Sequence, residues 1–527
     1  MKIPAPVVQA LRKRELAKTG HDLKPGILVL RHAGIELEGD LFDTMIAHYV
    51  IDGDARHRLD LLSENYLGYT LLEVDEQQKK KTQELFPDAE RIKDRSVEAA
   101  DVALQLQKKF EPIVSEPHCH KLFYEVEIPL IRVLADMEFE GIALDVPFLE
   151  RYSAEMEKDI QKLKDEIFRE AGCEFNLESP KQLGEVLFEK MKIPYEGKKT
   201  KTGQYSTGEE ILTSIQKEYP IAGKILEYRG LVKLKSTYVD ALPQHVHPRT
   251  HRVHTTFNQA VAATGRLSST NPNLQNIPIK TERGSEIRKA FIPRDRQHVL
   301  LSADYSQIEL RLVAAMSKDE NLLQAFKDGL DVHAATASRL YNVPLEMVTR
   351  EMRSNAKMVN FGLMYGMSAF GLAQRTGMTR SEAAAIIQQY FTQFPGIKRF
   401  MDEAIEKARK QGYAETIMGR RRYLPDINSK NATVRGFAER NAINTPIQGS
   451  AADMIKIAMI RIHRQFEKKK LRSKMILQIH DELVFDVRKE EVEEARAIIE
   501  EHMKNALLLE VPIVVDIGIG NNWLEAH

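Results

Sequence analysis

Residues 474–487 read "KMILQIHDELVFDV". Apolar residues fill both sides of the triplet His480-Asp481-Glu482, which predicts two buried strands joined by a tight hairpin with acids held at its tip. A second strand of the same kind, the apolar run at 299–301 in "HVLLSADYSQIELR", stops at Asp304, where the pattern turns helical. Two strands far apart in sequence therefore each finish in a carboxylate. If they are neighbours in one sheet, Asp304 and Asp481 can face each other across a gap suited to divalent cations, which oxygen ligands bind readily. Two such ions roughly 3.5–4 Å apart can bind the attacking and leaving oxygens of a phosphoryl transfer. Taken alone, "HDE" also fits a polar hairpin tip in solvent, because such short motifs are common.

The chain around these strands has 527 residues, too many for one core, and predicts two to four domains. Its 43% hydrophobic and 29% charged residues describe an ordinary soluble globular protein. No apolar run reaches the length of a membrane span and the first residues have no hydrophobic signal core, so a cytoplasmic or organelle-matrix protein with no membrane partner is expected. Cys119 and Cys173 are too few for a disulfide framework. "PHCHK" around Cys119 has no second, suitably spaced ligand pair to close a tetrahedral zinc site. Lys and Arg together number 76, as do Asp and Glu, so total charge names no polyanionic partner. Local clusters decide instead.

Up to about residue 120 the pattern mixes strand and helix pieces, a small α/β domain with solvated connectors at 52–60 ("DGDARHRLD") and 75–83 ("DEQQKKKTQ"). From Phe123 to about Arg169 it turns helical, with two long helices, and 189–210 ("EKMKIPYEGKKTKTGQYSTGEE") reads as a mobile basic loop. Arg229, Lys233 and Lys235, mixed with Tyr228 and Tyr238, suit a phosphate backbone. Strand and loop signals then run to Tyr305, helices to about 467, and a strand pair and a helix-strand unit close the chain. In "TREMRSNAKMVNFGLMYG" (349–366) Arg353, Lys357, Phe361 and Tyr365 follow one another at steps of four. Each step turns about 40°, so one helix face of roughly 120° presents two cations and then two rings. Such a face can clamp a triphosphate and stack on a base or sugar. An amphipathic helix with a basic rim gives the same spacing. "TPIQGSAADMIKIAMIRIH" (445–463) reads on its own as a helix start capped by Ser450, with Asp453 three residues on.

Together these pieces resemble the family A DNA polymerases, of the bacterial DNA polymerase I type in its large-fragment form. The resemblance runs from about residue 120 to the C-terminus and more weakly before it. It is carried by "DYSQIELR" from Asp304, by the Arg353 to Gly366 helix, by "HDE" at 480–482, by "TGRLSSTNPNLQNIP" from Thr264 and by "RNAINTPIQGSAAD" from Arg440. It implies an α+β multidomain fold, a right hand of palm, fingers and thumb behind an RNase H-like 3′–5′ exonuclease-type domain. The expected divisions are 1–120 for that domain, 121–250 for the thumb, 251–325 for the first part of the palm, 326–445 for the fingers and 446–527 for the rest of the palm. The implied activity is DNA-directed DNA synthesis, with two Mg²⁺ ions, or Mn²⁺ in their place, held by Asp304, Asp481 and the backbone carbonyl of Tyr305. Glu482 would be an auxiliary acid. Arg353 and Lys357 would bind the dNTP phosphates with His333 assisting, Phe361 would stack on the incoming sugar, and Tyr365 would close the site behind the templating base. Glu309, with Gln307 in the same nucleotide site, would exclude a ribose hydroxyl. Arg266, Asn273, Gln275, Arg440, Asn444, Gln448 and His480 would contact primer-template DNA, and Ser368 and Phe370, with Arg440, would separate downstream strands. A monomer in the bacterial cytoplasm is expected.

The amino-terminal segment departs from the family pattern. In "GHDLKPGILVLRHAGIEL" (20–37) Pro25 and Gly26 stand where the family has an aromatic residue and an essential Asp, and in "DRSVEAADVALQL" (94–106) Arg95 and Ala99 replace Tyr and Asp. The first exonuclease motif would precede Met1, and no 5′-nuclease domain is expected in this chain. The expectation is a truncated, inactive exonuclease-like domain in a fragment, with Asp43 and Asp101 structural. A metal-dependent nuclease and a non-catalytic DNA-binding homologue are the rival readings, the first weakened by the Arg353-Lys357 face and the second by the retained reactive residues.

Overall fold

A computed structural model describes residues 3–72, 89–279 and 281–527. The connector at 75–83 lies outside the described residues. The chain divides into two compact units, each built from three segments. The first comprises Met1–Glu140, Thr256–Thr270 and Leu301–Gly518, the second Gly141–Thr255, Asn271–Leu300 and Ile519–His527.

A four-stranded sheet organises the first unit, in the order Lys474–Ile479, Glu482–Arg488, His298–Tyr305, Val515–Gly520. The first two strands are nearly continuous apolar runs because almost every position on them is buried, whichever face it points to. The hairpin register pairs Ile479 with Glu482, leaving His480 and Asp481 as a two-residue turn in which His480 takes a positive φ of 51°. Behind the sheet runs a 38-residue helix, Ala432–Lys469, with Phe466 6.0 Å from Phe485 of the hairpin.

That helix corrects the local reading of 445–463. Its cap is Asn431, whose side chain accepts from the amides of Thr433 and Val434, and it runs through Pro446. Ser450 is therefore mid-helix, its hydroxyl accepting from the amide of Ile417, and Asp453 is fully buried against Arg420. A cap motif reads the same in a sequence whether or not a helix already precedes it.

Closer to the amino terminus, parallel strands Lys18–Gly20 and Leu41–Asp43 flank the helix Leu23–His32, and Thr44–Ile51 and Ala89–Val114 follow. The connector at 52–60 is less solvated than its composition implies, because His57 is buried with its Nδ1 2.8 Å from Nδ1 of His48.

In the second unit a three-stranded sheet, ordered Arg252–Val253, Ile142–Leu144, Phe291–Ile292, accompanies the long helix Val146–Ala171. Lys224 of the helix Pro220–Leu234 bridges Glu166 and Glu170 of that long helix. The basic loop at 189–210 closes on an aromatic cluster, with Tyr195 4.7 Å from Phe188 and 5.0 Å from Tyr205. Of the three cations expected to face a phosphate backbone, Lys233 is exposed. Arg229 donates to the carbonyl of Thr207 and Lys235 pairs with Asp240 and Glu157, since each lies within reach of a closer oxygen.

Candidate active site

The strand ending at Asp304 and the hairpin carrying Asp481 are neighbours in one sheet. The amide of Tyr305 donates to the carbonyl of Asp481 at 3.2 Å, which fixes the two acidic ends against each other. Asp304 and Asp481 are both half-buried. Burial raises the proton affinity of the Asp481 carboxyl above its usual range, against the pull of Arg266 and His480. Glu482 begins the second hairpin strand and points inward, accepting from the Ser302 hydroxyl at 2.6 Å. Of the three residues in "HDE", then, His480 is exposed, Asp481 sits at the turn and Glu482 is buried.

Glu309 stands on the first turn of the helix Ile308–Ser317, just past the Asp304 strand. Its carboxylate meets Arg266 at 2.5 Å. Burial dominates even so, pushing its pKa up to about 7, with Arg266 opposing and Asp481 adding repulsion. Arg266 reaches it from the loop of a two-stranded ribbon, Thr256–Asn258 paired with Ser268–Thr270. Gly265 has a φ of 84°, and a Cβ there would lie 2.6 Å from Nε of Arg420, so only glycine lets the loop pass at that point. Gln307 precedes the Glu309 helix in a left-handed conformation, and its buried Oε1 has no hydrogen-bond partner among the described residues.

A second group forms on the helix Arg350–Met364. Arg353 and Lys357 are exposed along it, and Phe361 and Tyr365 are half-buried with ring centroids 6.5 Å apart and nearly parallel. The face expected from steps of four is present. Arg353 is braced by Asp331 at 2.6 Å, the residue whose carboxylate also caps the helix Val332–Tyr341. His333 is buried, 5.6 Å from Phe361, and burial lowers its pKa to about 4. Asn360 Nδ2 lies 3.0 Å from its Nδ1, a contact that assigns the proton of a neutral ring to Nε2. His333 thus offers an N–H donor and no cation at neutral pH. The end of this helix packs on the long helix at Gly366, whose φ of 72° leaves Arg440 3.0 Å from where a Cβ would stand.

The remaining expected residues are less concentrated. Ser368 caps the helix Ala369–Thr376 through the amide of Gly371, and Phe370 is 58% exposed on it. Arg440 is exposed and lies over Phe437, while the buried Oδ1 of Asn444 has no partner among the described residues. Gln448 is half-buried on the same long helix. Asn273 and Gln275 belong to the second compact unit, where Asn273 caps a short turn by accepting from the amide of Gln275.

In the exonuclease-like segment, Asp43 takes amides from Asp22, Leu23, Met45 and Ile46. Asp101 accepts from Gln105. Among the described residues the cluster of three or more metal-capable side chains is Asp136, His463 and Glu467, and Arg31 of the 20–37 stretch pairs with its Asp136. Cys119 is buried and its thiol is pushed up to about 11 by that burial.

Sequence reading missed a buried charge quartet. Arg420 binds Glu127 and Asp453, and Lys456 binds Glu127 at 2.7 Å, all four essentially without solvent contact. Burial opposes ionisation, yet Lys456 and Arg420 hold the Glu127 pKa down at about 2. No local pattern marks partners separated by hundreds of residues. Asp331 was findable, since an Asp directly before a helical run is a cap signal.

Acidic strand ends in one sheet, followed by a helix with two cations and two rings, fit the fold class of the α+β polymerases. The family model for DNA polymerase family A matches residues 146–525, a 3′-5′ exonuclease model matches residues 4–115, and the chain belongs to DNA polymerase family A. DNA polymerase I of Pseudomonas aeruginosa is 45% identical over 518 residues, covering 97% of this chain and 56% of that protein. The Geobacillus stearothermophilus enzyme is 44% identical over 97% of this chain and 58% of its own length. A thermostable DNA polymerase I of Thermus filiformis is 48% identical over 81% of this chain and 51% of its own. The chain thus spans about half the length of the curated relatives it matches. Among solved structures, the POL domain of Pol1 from M. smegmatis, in complex with DNA primer-template and dNTP, superposes with a TM-score of 0.90 at 39% identity, covering 99% of this chain and 88% of that one. The α+β polymerase fold with an amino-terminal exonuclease-type domain is therefore established. No helix among the described residues is long and apolar enough to cross a membrane.

Proposed function

We propose that the chain is a DNA-directed DNA polymerase that adds dNTPs to the 3′ end of a primer. The observation that carries this is the tie between Tyr305 and Asp481, which sets the two acidic strand ends side by side. The donor set fits hard divalent cations: carboxylates of Asp304 and Asp481 with the Tyr305 carbonyl are all oxygen ligands, and a half-buried Asp481 gains from a neighbouring cation. When bound, two Mg²⁺ ions, or Mn²⁺ in their place, supply charge stabilisation to the attacking and leaving oxygens.

The chain's own residues bind and orient. Arg353, steadied by Asp331, and Lys357 take the triphosphate, His333 donates through Nε2, and Phe361 and Tyr365 flank the sugar and the templating base. Glu309, backed by Arg266, fills the space a 2′-hydroxyl needs. Gln307 and Asn444, each with a buried amide oxygen awaiting a donor, line the nucleotide and primer-template sites. Arg266, Arg440, Gln448 and His480, with Asn273 and Gln275, contact primer-template DNA, whose minor-groove acceptors report pair geometry rather than sequence. The exposed Phe370 beside Ser368 supports displacement of a downstream strand. The amides that occupy Asp43 support a segment that does not proofread. We further infer a cytoplasmic bacterial monomer, with the five-part division into exonuclease-like domain, thumb, palm, fingers and palm given above.

The relative in complex with primer-template DNA and dNTP has the same fold over nearly the whole chain, and the exposed Arg353-Lys357 face disfavours a nuclease, which has no triphosphate to hold. Extension of a labelled primer on a DNA template with Mg²⁺ and dNTPs, beside the Asp481→Ala variant, tests the reading. Template-matched extension lost in the variant is expected. A wild type that binds the DNA without extending the primer would make the chain a binding module instead.

A further inference from the structure

The exonuclease-like segment sends two buried polar side chains into the ribbon that carries Arg266. Lys24, on the helix Leu23–His32, is buried against Glu138, and its Nζ also donates to the carbonyl of Phe257. Glu138 in turn accepts from the amide of Phe257 at 2.7 Å. Phe257 pairs in register with Ser269 across the ribbon, so Lys24 and Glu138 together satisfy both main-chain groups of one ribbon residue, as a further strand would. Farther along, the Tyr49 hydroxyl donates to the carbonyl of Ala262 at 2.7 Å, four residues before Arg266. The Tyr49 ring lies 5.5 Å from the guanidinium of Arg420, which packs beneath Gly265.

We propose that Lys24 and Tyr49 are positioning residues for nucleotide selection, clamping the ribbon at Phe257 and Ala262 so that Arg266 meets Glu309. Both reach backbone atoms, and a bond to backbone fixes where the loop runs, whereas apolar contact would only bury it. The Tyr49 link enters the loop four residues before Arg266, at the carbonyl that also accepts from the amide of Gly265. The amino-terminal domain thereby acts on the neighbouring site through one loop. The inference rests on the polymerase reading of that site.

Single-nucleotide incorporation of a matched dNTP and its rNTP, in wild type, Tyr49→Phe and Lys24→Met, tests it, with each change repeated in an Arg266→Ala background and each melting midpoint measured alongside. Tyr49→Phe removes one oxygen and keeps the ring, so it remains informative if Lys24→Met does not fold. The ratio of kcat/KM for dNTP over rNTP should fall roughly three- to tenfold in Tyr49→Phe. The same change should have no further effect once Arg266 is alanine, because residues acting through one partner are not additive. A wild type that extends primers and keeps its ratio in Tyr49→Phe, or a loss that adds in full to that of Arg266→Ala, overturns the proposal alone. A wild type that extends no primer overturns the polymerase reading and this proposal with it.

Discussion

Asp43 and Asp481 are both aspartates whose burial raises their pKa, and they sit in regions with opposite fates. Asp43 spends both carboxylate oxygens on four backbone amides of its own neighbourhood. Asp481 stands at a two-residue turn with its main-chain carbonyl tied to Tyr305, and its carboxylate accepts no hydrogen bond from the described residues. On the proposed reading, what separates Asp481 as a ligand from Asp43 as a strut is whether the oxygens are already occupied. Counting acids in a motif does not answer that.

The largest effect expected to test this contrast is at Asp481. Asp481→Asn keeps the shape and removes the charge, and primer extension should fall by roughly a thousandfold with the fold intact by circular dichroism. A loss below tenfold would put Asp481 on Asp43's side of the comparison. Next comes the buried quartet, whose carboxylates and cations pair with one another out of solvent. Glu127→Gln leaves Arg420 and Lys456 short of their shared carboxylate and should cost about 3–5 kcal/mol in denaturant unfolding. Because the folded pKa of Glu127, at about 2, lies below its ordinary 4.5, its contribution is present above pH 4.5 and is lost as pH falls toward 2.

Glu309 sharpens the contrast from the other direction, as a buried acid near the proposed metal ligands. Its folded pKa of about 7 lies above the ordinary 4.5, so the folded state holds the extra proton in that window. Stability should decline as pH rises from 4.5 to 7, by a few kcal/mol at most, and the Glu309→Gln variant should lack that slope. Equal slopes in urea titrations of the two proteins across the window would contradict this.

How much of this was legible follows from how local each signal is. The acidic strand ends were readable because apolar runs and the residues that interrupt them lie next to each other in sequence. The Arg353 to Tyr365 face was readable because helix geometry is fixed by spacing. The start of the long helix is not legible locally, since Ser450 and Asp453 imitate a cap while tertiary packing carries the helix through them. Arg229 and Lys235 suit a phosphate backbone by composition, which cannot show that Thr207 and Asp240 reach them first. The quartet and the Lys24-Glu138-Phe257 link join residues more than a hundred positions apart, and no window along a single sequence contains them.

The smallest effect is expected at Asp43 itself. Asn serves as well as Asp in capping a helix, so Asp43→Asn should retain the acceptor for the amides of Met45 and Ile46. The oxygen that accepts from Leu23 at 2.7 Å becomes an NH₂ group facing an N–H, and that single mismatch should cost about 1 kcal/mol in unfolding. Burial works in the variant's favour as pH rises. The wild-type carboxyl, pushed up to about 6 from 3.8, loses stability between those values and the amide does not, so the gap between the two proteins should close over that window and the variant become the more stable above it. Primer extension should be unchanged throughout. A drop in extension that exceeds the drop in stability would mean that Asp43 also helps to hold the ribbon beside it, and the strut would then belong to the same machinery as the ligand.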